Sequence, residues 1–226
     1  MVSLITTGSA TDKNGRPFPR RRSLPWLITV GAMLAVATIV WISVATKGER
    51  DTTAMACSSP TVPATAAAGA QPPAALGKRE GATALFDVEP AQLPATKVRV
   101  FNANNQSGQA AHIAAELSDK GFASPPDVQI GNDPVYLEQN MQCVGQIRYG
   151  PTGRRAAASV QLVAPCAELI EDARADDTVD LALGSYFGDI KPNSDAEEVL
   201  RTLREPTSAP APLDVKLLGA ARKSKC

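Results

Sequence analysis

The densest run of potential ligand-binding side chains lies between Asn102 and Ser107. Its members are Asn102, Asn104, Asn105, Gln106 and Ser107. An amide side chain both donates and accepts hydrogen bonds, which suits sugar hydroxyls and peptide groups. The same residue types also form Asx turns and helix caps. Two interpretations therefore stay open: the run is a polar ligand cradle, or it caps the helix that follows it.

Arginines elsewhere in the chain are candidates for the same site. Arg148 and Gln146 fall on one face of a predicted strand, because side chains alternate along a strand. Arg154 and Arg155 follow a turn, and exposure to solvent is the alternative for both. The loop has neither the G-x-G-x-x-G spacing nor the lysine and second glycine of a P-loop, which argues against nucleotide binding. We include Arg148 in the predicted ligand site.

Acid–base catalysis has few candidate residues. His112 is the sole histidine, and its position on the helix predicts a surface residue one turn from Glu116. Without another histidine, a Ser-His-Asp or Cys-His arrangement lacks its usual base. The adjacent carboxylates Glu171-Asp172 and Asp176-Asp177 are typical of a solvated acidic loop. We predict no catalytic residue and no cofactor.

The uncharged segment Leu24–Thr46 is predicted to be a single membrane-spanning helix. At about 1.5 Å per residue it would reach roughly 35 Å, against about 30 Å for a bilayer core. Trp26 and Trp41 lie near its two ends, where such rings favour the interface. A cleaved signal peptide ending at Ala54-Met55-Ala56, with Cys57 as a lipoprotein site, is the alternative. The apolar run is longer than a signal core, which favours an anchor.

Flanking charge predicts which side of the membrane each part occupies. Residues 1–23 are basic, so they are expected in the cytoplasm, and the remainder is expected outside the cytoplasmic membrane. Residues 47–226 hold 18 of the 23 Lys and Arg and 22 of the 23 Asp and Glu. This excess of negative charge argues against a nucleic-acid partner, which would favour a basic surface.

Four cysteines should not all remain free in an oxidising compartment. They are Cys57, Cys143, Cys166 and Cys226, which allow three complete pairings. We predict a Cys143–Cys166 disulfide because both residues lie within the folded domain, with Cys57 reaching back to the domain as the alternative. No C-x-x-C spacing occurs and the histidine is remote in sequence, so no metal site is predicted.

The elements that must position these side chains form one domain. Residues 47–94 are rich in Pro, Ala and Thr and are predicted to be a disordered tether; residues 95–205 form the domain; residues 206–226 are a disordered tail. Predicted strands are Lys97–Phe101, Val128–Ile130, Val144–Tyr149, Glu168–Asp172 and Val179–Leu183, and predicted helices are Gly108–Lys120, Gly153–Val163 and Asp195–Arg204. This order predicts an α/β (α+β) fold, a small two-layer sandwich with a mixed sheet and helices on one face. Ser107 and Ser194 are the predicted helix caps, and Gly121 the left-handed terminator.

The segment VRVFNANNQSGQAAHIAAELSDKGF, residues 98–122, resembles the start of a LytR C-terminal domain. Those domains open with V-x-N, a polar loop, G-x-A-x-x-x-A-x-x-L and a closing G-F. The matching residues here are Val100, Asn102, Gly108, Ala110, Ala114, Leu117, Gly121 and Phe122. The segment VDLALGSYF, residues 179–187, is similar to the closing strand of the family. The chain departs from larger LytR-type proteins in having a tether where they carry a phosphotransferase domain, and in having cysteines.

The resemblance implies a role in maintaining the cell envelope and transfers no catalytic residue. Combined with the predicted anchor, it leads us to expect an exported, non-catalytic module that supports envelope and wall integrity. Such a module would bind wall polymer, such as glycan or muropeptide, or scaffold envelope assembly. The alternatives are an interaction adaptor for a wall-synthesis enzyme and, less favoured, a wall-polymer transferase or hydrolase.

Overall fold

The structure is a computed structural model, which describes residues 24–46, 56–61, 74–205, 213–223 and 226. The chain divides into two units, one up to Arg50 and one from Asp51. In the first unit, helix α1 covers Leu24–Thr46. No helix within the described ranges was found to be both long and apolar enough to cross a membrane. The membrane-spanning assignment is therefore not confirmed and stays a prediction.

The second unit is built on one six-stranded sheet with the strand order β1-β5-β4-β6-β2-β3. The strands are β1 Lys78–Glu80, β2 Val98–Asn102, β3 Ile130–Asn132, β4 Gly145–Tyr149, β5 Glu168–Glu171 and β6 Val179–Leu183. The helices are α2 Gln109–Lys120, α3 Arg154–Val163, α4 Ser194–Arg204 and α5 Val215–Ala221. The sheet is mixed: β2 is parallel to β3 and β6, β4 is parallel to β5, and β1–β5 and β4–β6 are antiparallel.

The main core lies between this sheet and the helices. Alternate residues of the inner strands, such as Val98 and Val100 in β2, face the helices because side chains alternate across a strand. The stripe Ala110, Ile113, Ala114 and Leu117 of α2 is buried against them, as its i, i+3, i+4, i+7 spacing predicts. Residues of α3 and α4 join the same core. The predicted mixed sheet with packed helices, an α+β fold, is confirmed.

Helix ends follow local chemistry, with two corrections. Gly121 ends α2 with φ of 102°, as predicted, and its N–H donates to Leu117 O and Ser118 O. Ser107, however, does not cap α2; the side-chain oxygen of Asn102 accepts from Ala110 N at 3.0 Å instead. Asn193 rather than Ser194 caps α4, because the chain turns helical one residue earlier than predicted and Asn193 Oδ1 is then placed to accept from Ala196 N.

The folded unit extends beyond both predicted boundaries. Residues 74–94, predicted as tether, belong to it because β1 pairs with β5 and the apolar side chains of Leu85 and Leu93 are fully buried. Likewise, α5 replaces part of the predicted disordered tail, since Leu217 and Leu218 pack against the core. The other tether and tail residues, 47–55, 62–73, 206–212 and 224–225, lie outside the described ranges, as does the basic segment 1–23.

The predicted Cys143–Cys166 disulfide is wrong. The structure pairs Cys57 with Cys143 and Cys166 with Cys226. Cys143 lies in a small apolar cluster with Met141 and Ala182, on the sheet face away from the helices. Cys166 follows α3 on the helix side, so the two thiols belong to opposite faces. The predicted alternative, in which Cys57 reaches back to the domain, is the observed one.

Candidate functional site

The loop that begins with Asn102 uses its first amides for structure. Asn104 is buried, and its Nδ2 donates to Gln109 Oε1 and to Gly184 O, both at 2.7 Å. Its Oδ1 accepts from Gln106 N at 3.0 Å, so both ends of the amide have partners. Asn104 thus forms an Asx turn and Asn102 caps α2, which matches the structural interpretation of the run.

The remaining three members of the run face solvent. Asn105, Gln106 and Ser107 are exposed, and the backbone N–H of Gln106 donates to Asn104 Oδ1. Their binding of a ligand stays a prediction. A cradle at this point would consist of these three side chains and would lack the two asparagines that the fold uses internally.

Arg148 is positioned by an internal network instead of by the loop. Its Nη1 lies 2.8 Å from Asp133 Oδ2, and its Nε and Nη2 donate to Gln146 Oε1 at 3.0 and 2.8 Å. The ring of Tyr136 lies below the guanidinium, with 5.7 Å from Cζ to the ring centroid. Because Arg148 is almost fully buried, its contacts are those of a structural ion pair. Gln146 lies beside it, as the strand alternation predicted.

The two arginines after the turn are engaged elsewhere. Arg154 pairs with Glu171 at 2.9 Å, and Arg155 pairs with Glu89 at 3.1 Å on the surface. Neither pair involves the Asn102–Ser107 loop. The loop and the four predicted polar side chains from β4 and α3 therefore do not form one site in the described structure.

The sheet face away from the helices carries a row of charges that the sequence analysis missed. In register across neighbouring strands stand Arg148 of β4, Asp180 of β6 and Arg99 of β2. Arg99 Nε contacts Asp180 Oδ1 at 2.5 Å, and Arg174 Nη2 contacts Asp180 Oδ2 at 2.6 Å. The signal in the sequence is that β2, β4 and β6 each carry a charged residue among otherwise apolar neighbours, on the face opposite the apolar side chains.

Arg174 joins a second carboxylate to this row. Its Nη2 lies 2.5 Å from Asp172 Oδ2, and its Nε donates to both Asp172 oxygens. Burial by itself raises the pKa of Asp172, but the hydrogen bonds and charge of Arg174 outweigh burial and hold that pKa below its ordinary value. Asp172 is thus a paired carboxylate. Asp176 Oδ1 likewise accepts a hydrogen bond from the N–H of Thr178. Asp176 and Asp177 are exposed, as a solvated loop predicts, whereas Glu171 and Asp172 are half-buried and paired with arginines.

The charged row is covered by a loop and by the segment that carries Cys57. Asp133 Oδ1 accepts from the N–H groups of Val135 and Tyr136, both at 2.7 Å, which fixes the loop over β4. Tyr136 Oη then donates to Ser58 O at 2.5 Å. The Cys57–Cys143 bond holds the same two segments together. Covalent and polar contacts therefore close this side of the sheet over Arg148.

A solvent-facing groove of about 450 Å³ lies at the end of α3 on the helix side. Its lining comes from the residue before β4, the end of α3, the segment between β6 and α4, and the second residue after α5. The residues are Val144, Val163, Ala164, Pro165, Cys166, Tyr186, Phe187, Gly188, Asp189, Lys191, Asn193 and Lys223. Tyr186 is 56% exposed, and Lys191 and Lys223 are exposed as well. A large aromatic face beside two ammonium groups can bind a ligand that is partly apolar and negatively charged. No sequence motif predicted this groove, because its walls are far apart in the chain.

His112 is exposed and contacts Glu116 Oε1 through Nε2 at 3.4 Å, which confirms its predicted surface position. Asp189, from the loop after β6, lies beside both. Burial and the nearby Asp189 carboxyl raise the pKa of Glu116. The sequence analysis missed Asp189 because it lies on another element.

Comparison with known proteins agrees with this fold. Residues 95–187 match the family described as LytR cell envelope-related transcriptional attenuator. The whole chain is 42% identical to the cell envelope integrity protein Cei of Mycobacterium tuberculosis, over 226 residues that cover both chains completely. A crystal structure of the soluble domain of a conserved hypothetical secreted protein from Mycobacterium marinum is 46% identical. It superposes with a TM-score of 0.61 and covers 68% of this chain and all of that one. The chain therefore belongs to the family of the cell envelope integrity protein Cei and carries a LytR C-terminal domain.

Proposed function

We propose that the protein supports cell-envelope integrity as an exported, non-catalytic binding module held at the membrane by Leu24–Thr46. Identity along the full length to a relative named for envelope integrity supports the general role. The secreted relative with a soluble domain supports an exported location for the folded unit. The uncharged segment Leu24–Thr46, with basic residues before it, supports the anchor.

The groove at the end of α3 carries the binding role. Its exposed Tyr186 ring lies in a surface that also contains the ammonium groups of Lys191 and Lys223. Sugar rings stack on aromatic faces through their C–H groups, and ammonium groups attract carboxylates. A peptidoglycan fragment offers both, since its glycan is joined to peptides with free carboxylates. Wall polymer is therefore the proposed ligand.

Binding is favoured over catalysis because the buried carboxylates are paired with arginines, which leaves Asp189 as the carboxylate in the groove lining. Asp172, Asp180 and Asp133 each accept from an arginine, and so none is placed as a free acid or base. His112 lies on the surface outside the groove lining. A scaffold or adaptor would need no such groups, whereas a hydrolase would need a general acid or base within reach of its substrate.

The test is a titration of the purified full-length chain in detergent with soluble peptidoglycan fragments, followed by NMR of aromatic and lysine side chains. We expect saturable shifts at Tyr186, with affinity lost in Tyr186→Ala and reduced in Lys191→Gln and Lys223→Gln. Lys216→Gln, an exposed lysine of α5 outside the groove, is the matched control. Binding that survives all groove substitutions would overturn the site.

The adaptor alternative has a separate readout in the same system. The adaptor alternative would be supported if the chain bound no polymer but one membrane enzyme co-purified with it. Tyr186→Ala should then abolish that co-purification. The envelope role itself is tested in cells. Deletion of the gene should increase the sensitivity of the cells to detergent and wall-directed antibiotics. If the anchor is required, expression of the chain without residues 1–46 should not restore resistance in the deletion strain.

A further inference from the structure

Three metal-ligating groups converge beside the groove and away from the charged row. His112 and Glu116 are one helical turn apart on α2, and Asp189 comes from the loop that follows β6. One nitrogen or oxygen atom from each lies within 4.8 Å of the others. The set therefore combines one imidazole with two carboxylates from two separate elements.

The loop that brings Asp189 to α2 is held in place by two hydrogen bonds. Asn104 Nδ2 donates to Gly184 O at 2.7 Å, and Gln109 Nε2 donates to Phe187 O at 2.9 Å. Both anchor points precede Asp189 by only a few residues. Phe187 is itself buried in the core. Asp189 is therefore positioned by the fold next to α2.

The charges in this cluster are unbalanced. Two carboxylates stand together with an imidazole, and Lys120, one turn further along α2, is the nearby cation that acts on Glu116. Carboxylates this close repel each other unless a proton or a cation lies between them. A divalent cation would relieve the repulsion and would accept all three groups as ligands.

We propose that His112, Glu116 and Asp189 bind a Zn²⁺ ion. Zinc accepts imidazole nitrogen and carboxylate oxygen together, usually in a tetrahedral arrangement, whereas magnesium and calcium favour all-oxygen sites. Three protein ligands leave a fourth position for water. The side chains of His112 and Glu116 are 63% and 32% exposed, so the ion enters and leaves from solvent.

The bound ion would join α2 to the loop that also lines the groove. Asp189 belongs both to the cluster and to the groove wall. Zinc binding would thus stabilise one wall of the groove. The zinc site itself does not depend on which ligand the groove takes, and its test is independent of the polymer titration.

The experiment uses the full-length chain without a histidine tag and with both disulfides intact, titrated with ZnCl₂. Because His112 is the sole histidine, its ring signals in NMR report on the site without overlap. We expect these signals to move and to saturate at one Zn²⁺ per chain, and CoCl₂ to give the visible absorption of a tetrahedral Co²⁺ complex. MgCl₂ should leave the ring signals unchanged.

Substitutions locate the ion. His112→Ala, Glu116→Gln and Asp189→Asn should each weaken zinc binding by roughly ten-fold or more, since loss of a mere supporting group already costs about that much. Asp119→Asn removes one exposed carboxylate from the same helix and should leave the affinity unchanged. Unmoved ring signals at saturating zinc, or native affinity in Asp189→Asn, would overturn the proposal.

Discussion

Arg148 and Asp133 form an ion pair of 2.8 Å in which the side chains are 3% and 0% exposed. Arg148→Ala would leave the carboxylate of Asp133 buried without its cation. Removal of one partner from a buried pair costs about 3–5 kcal/mol, because the remaining charge is uncompensated. Urea unfolding of the native and substituted chains measures this loss.

Arg155→Ala is the matched control for that substitution. Arg155 and Glu89 form a surface pair whose side chains are 60% and 57% exposed. Exposed pairs contribute about 0–1 kcal/mol. A similar loss of stability in Arg148→Ala and Arg155→Ala would contradict the structural role of the buried pair.

The pairing of the cysteines is open to direct mapping. Proteolysis without reduction should release one peptide pair that joins Cys57 to Cys143 and another that joins Cys166 to Cys226. The Cys57→Ser, Cys143→Ser double substitution should lower stability by about 2–4 kcal/mol, because the bond closes a long loop. A peptide linking Cys143 to Cys166 would contradict the arrangement.

Asp172 predicts how the chain responds to acid. Its pKa is lower in the folded chain than in the unfolded chain, since the hydrogen bonds from Arg174 outweigh burial. Its contribution to stability is therefore fully present above the ordinary carboxyl pKa and is lost as the pH falls through the lowered value. Asp172→Asn should remove this part of the pH dependence. The free energy of unfolding of the native chain and of Asp172→Asn would be measured from neutral to acid pH. Parallel pH dependences of the two chains would contradict the pairing of Asp172 with Arg174.

Tyr149 is fully buried, and its hydroxyl has no hydrogen-bond partner among the described residues. Tyr149→Phe removes this unsatisfied group and should stabilise the fold by about 1 kcal/mol. Burial also raises the pKa of Tyr149 to about 12. The native chain should therefore lose stability as the pH rises through the ordinary tyrosine pKa toward that value, and the Phe variant should lose less. Tyr186→Phe, on an exposed ring, serves as the control in thermal unfolding.

Asn104 and Asn105 separate the two interpretations of the polar loop. Asn104→Ala removes three hydrogen bonds from a buried amide and should cost about 1–3 kcal/mol. Asn105 is exposed, and Asn105→Ala should change stability by less than about 0.5 kcal/mol. Denaturant unfolding distinguishes the two. Equal effects would contradict the structural role assigned to the buried Asn104 amide.

Local signals in the sequence predicted most of the elements. The apolar stripe Ala110–Leu117 and the terminator Gly121 are interactions within one helix and its next turn, so they are legible without the rest of the chain. Strand β6 was predicted with the bounds that the structure has, because a short apolar run bounded by turn residues is typical of a buried strand. The short edge strand β1 was missed, since Lys78–Glu80 has no apolar pattern and pairs only because β5 is beside it.

The sequence by itself determined the family, the α+β fold class and the surface position of His112, since these depend on local spacing and on a recognisable segment. Only the tertiary structure decided the disulfide pairing, the burial of Arg148 and the convergence of Asp189 with His112. Each of these joins residues from distant parts of the chain. Spacing in the sequence does not show which distant side chains become neighbours, because the order and register of the strands decide that.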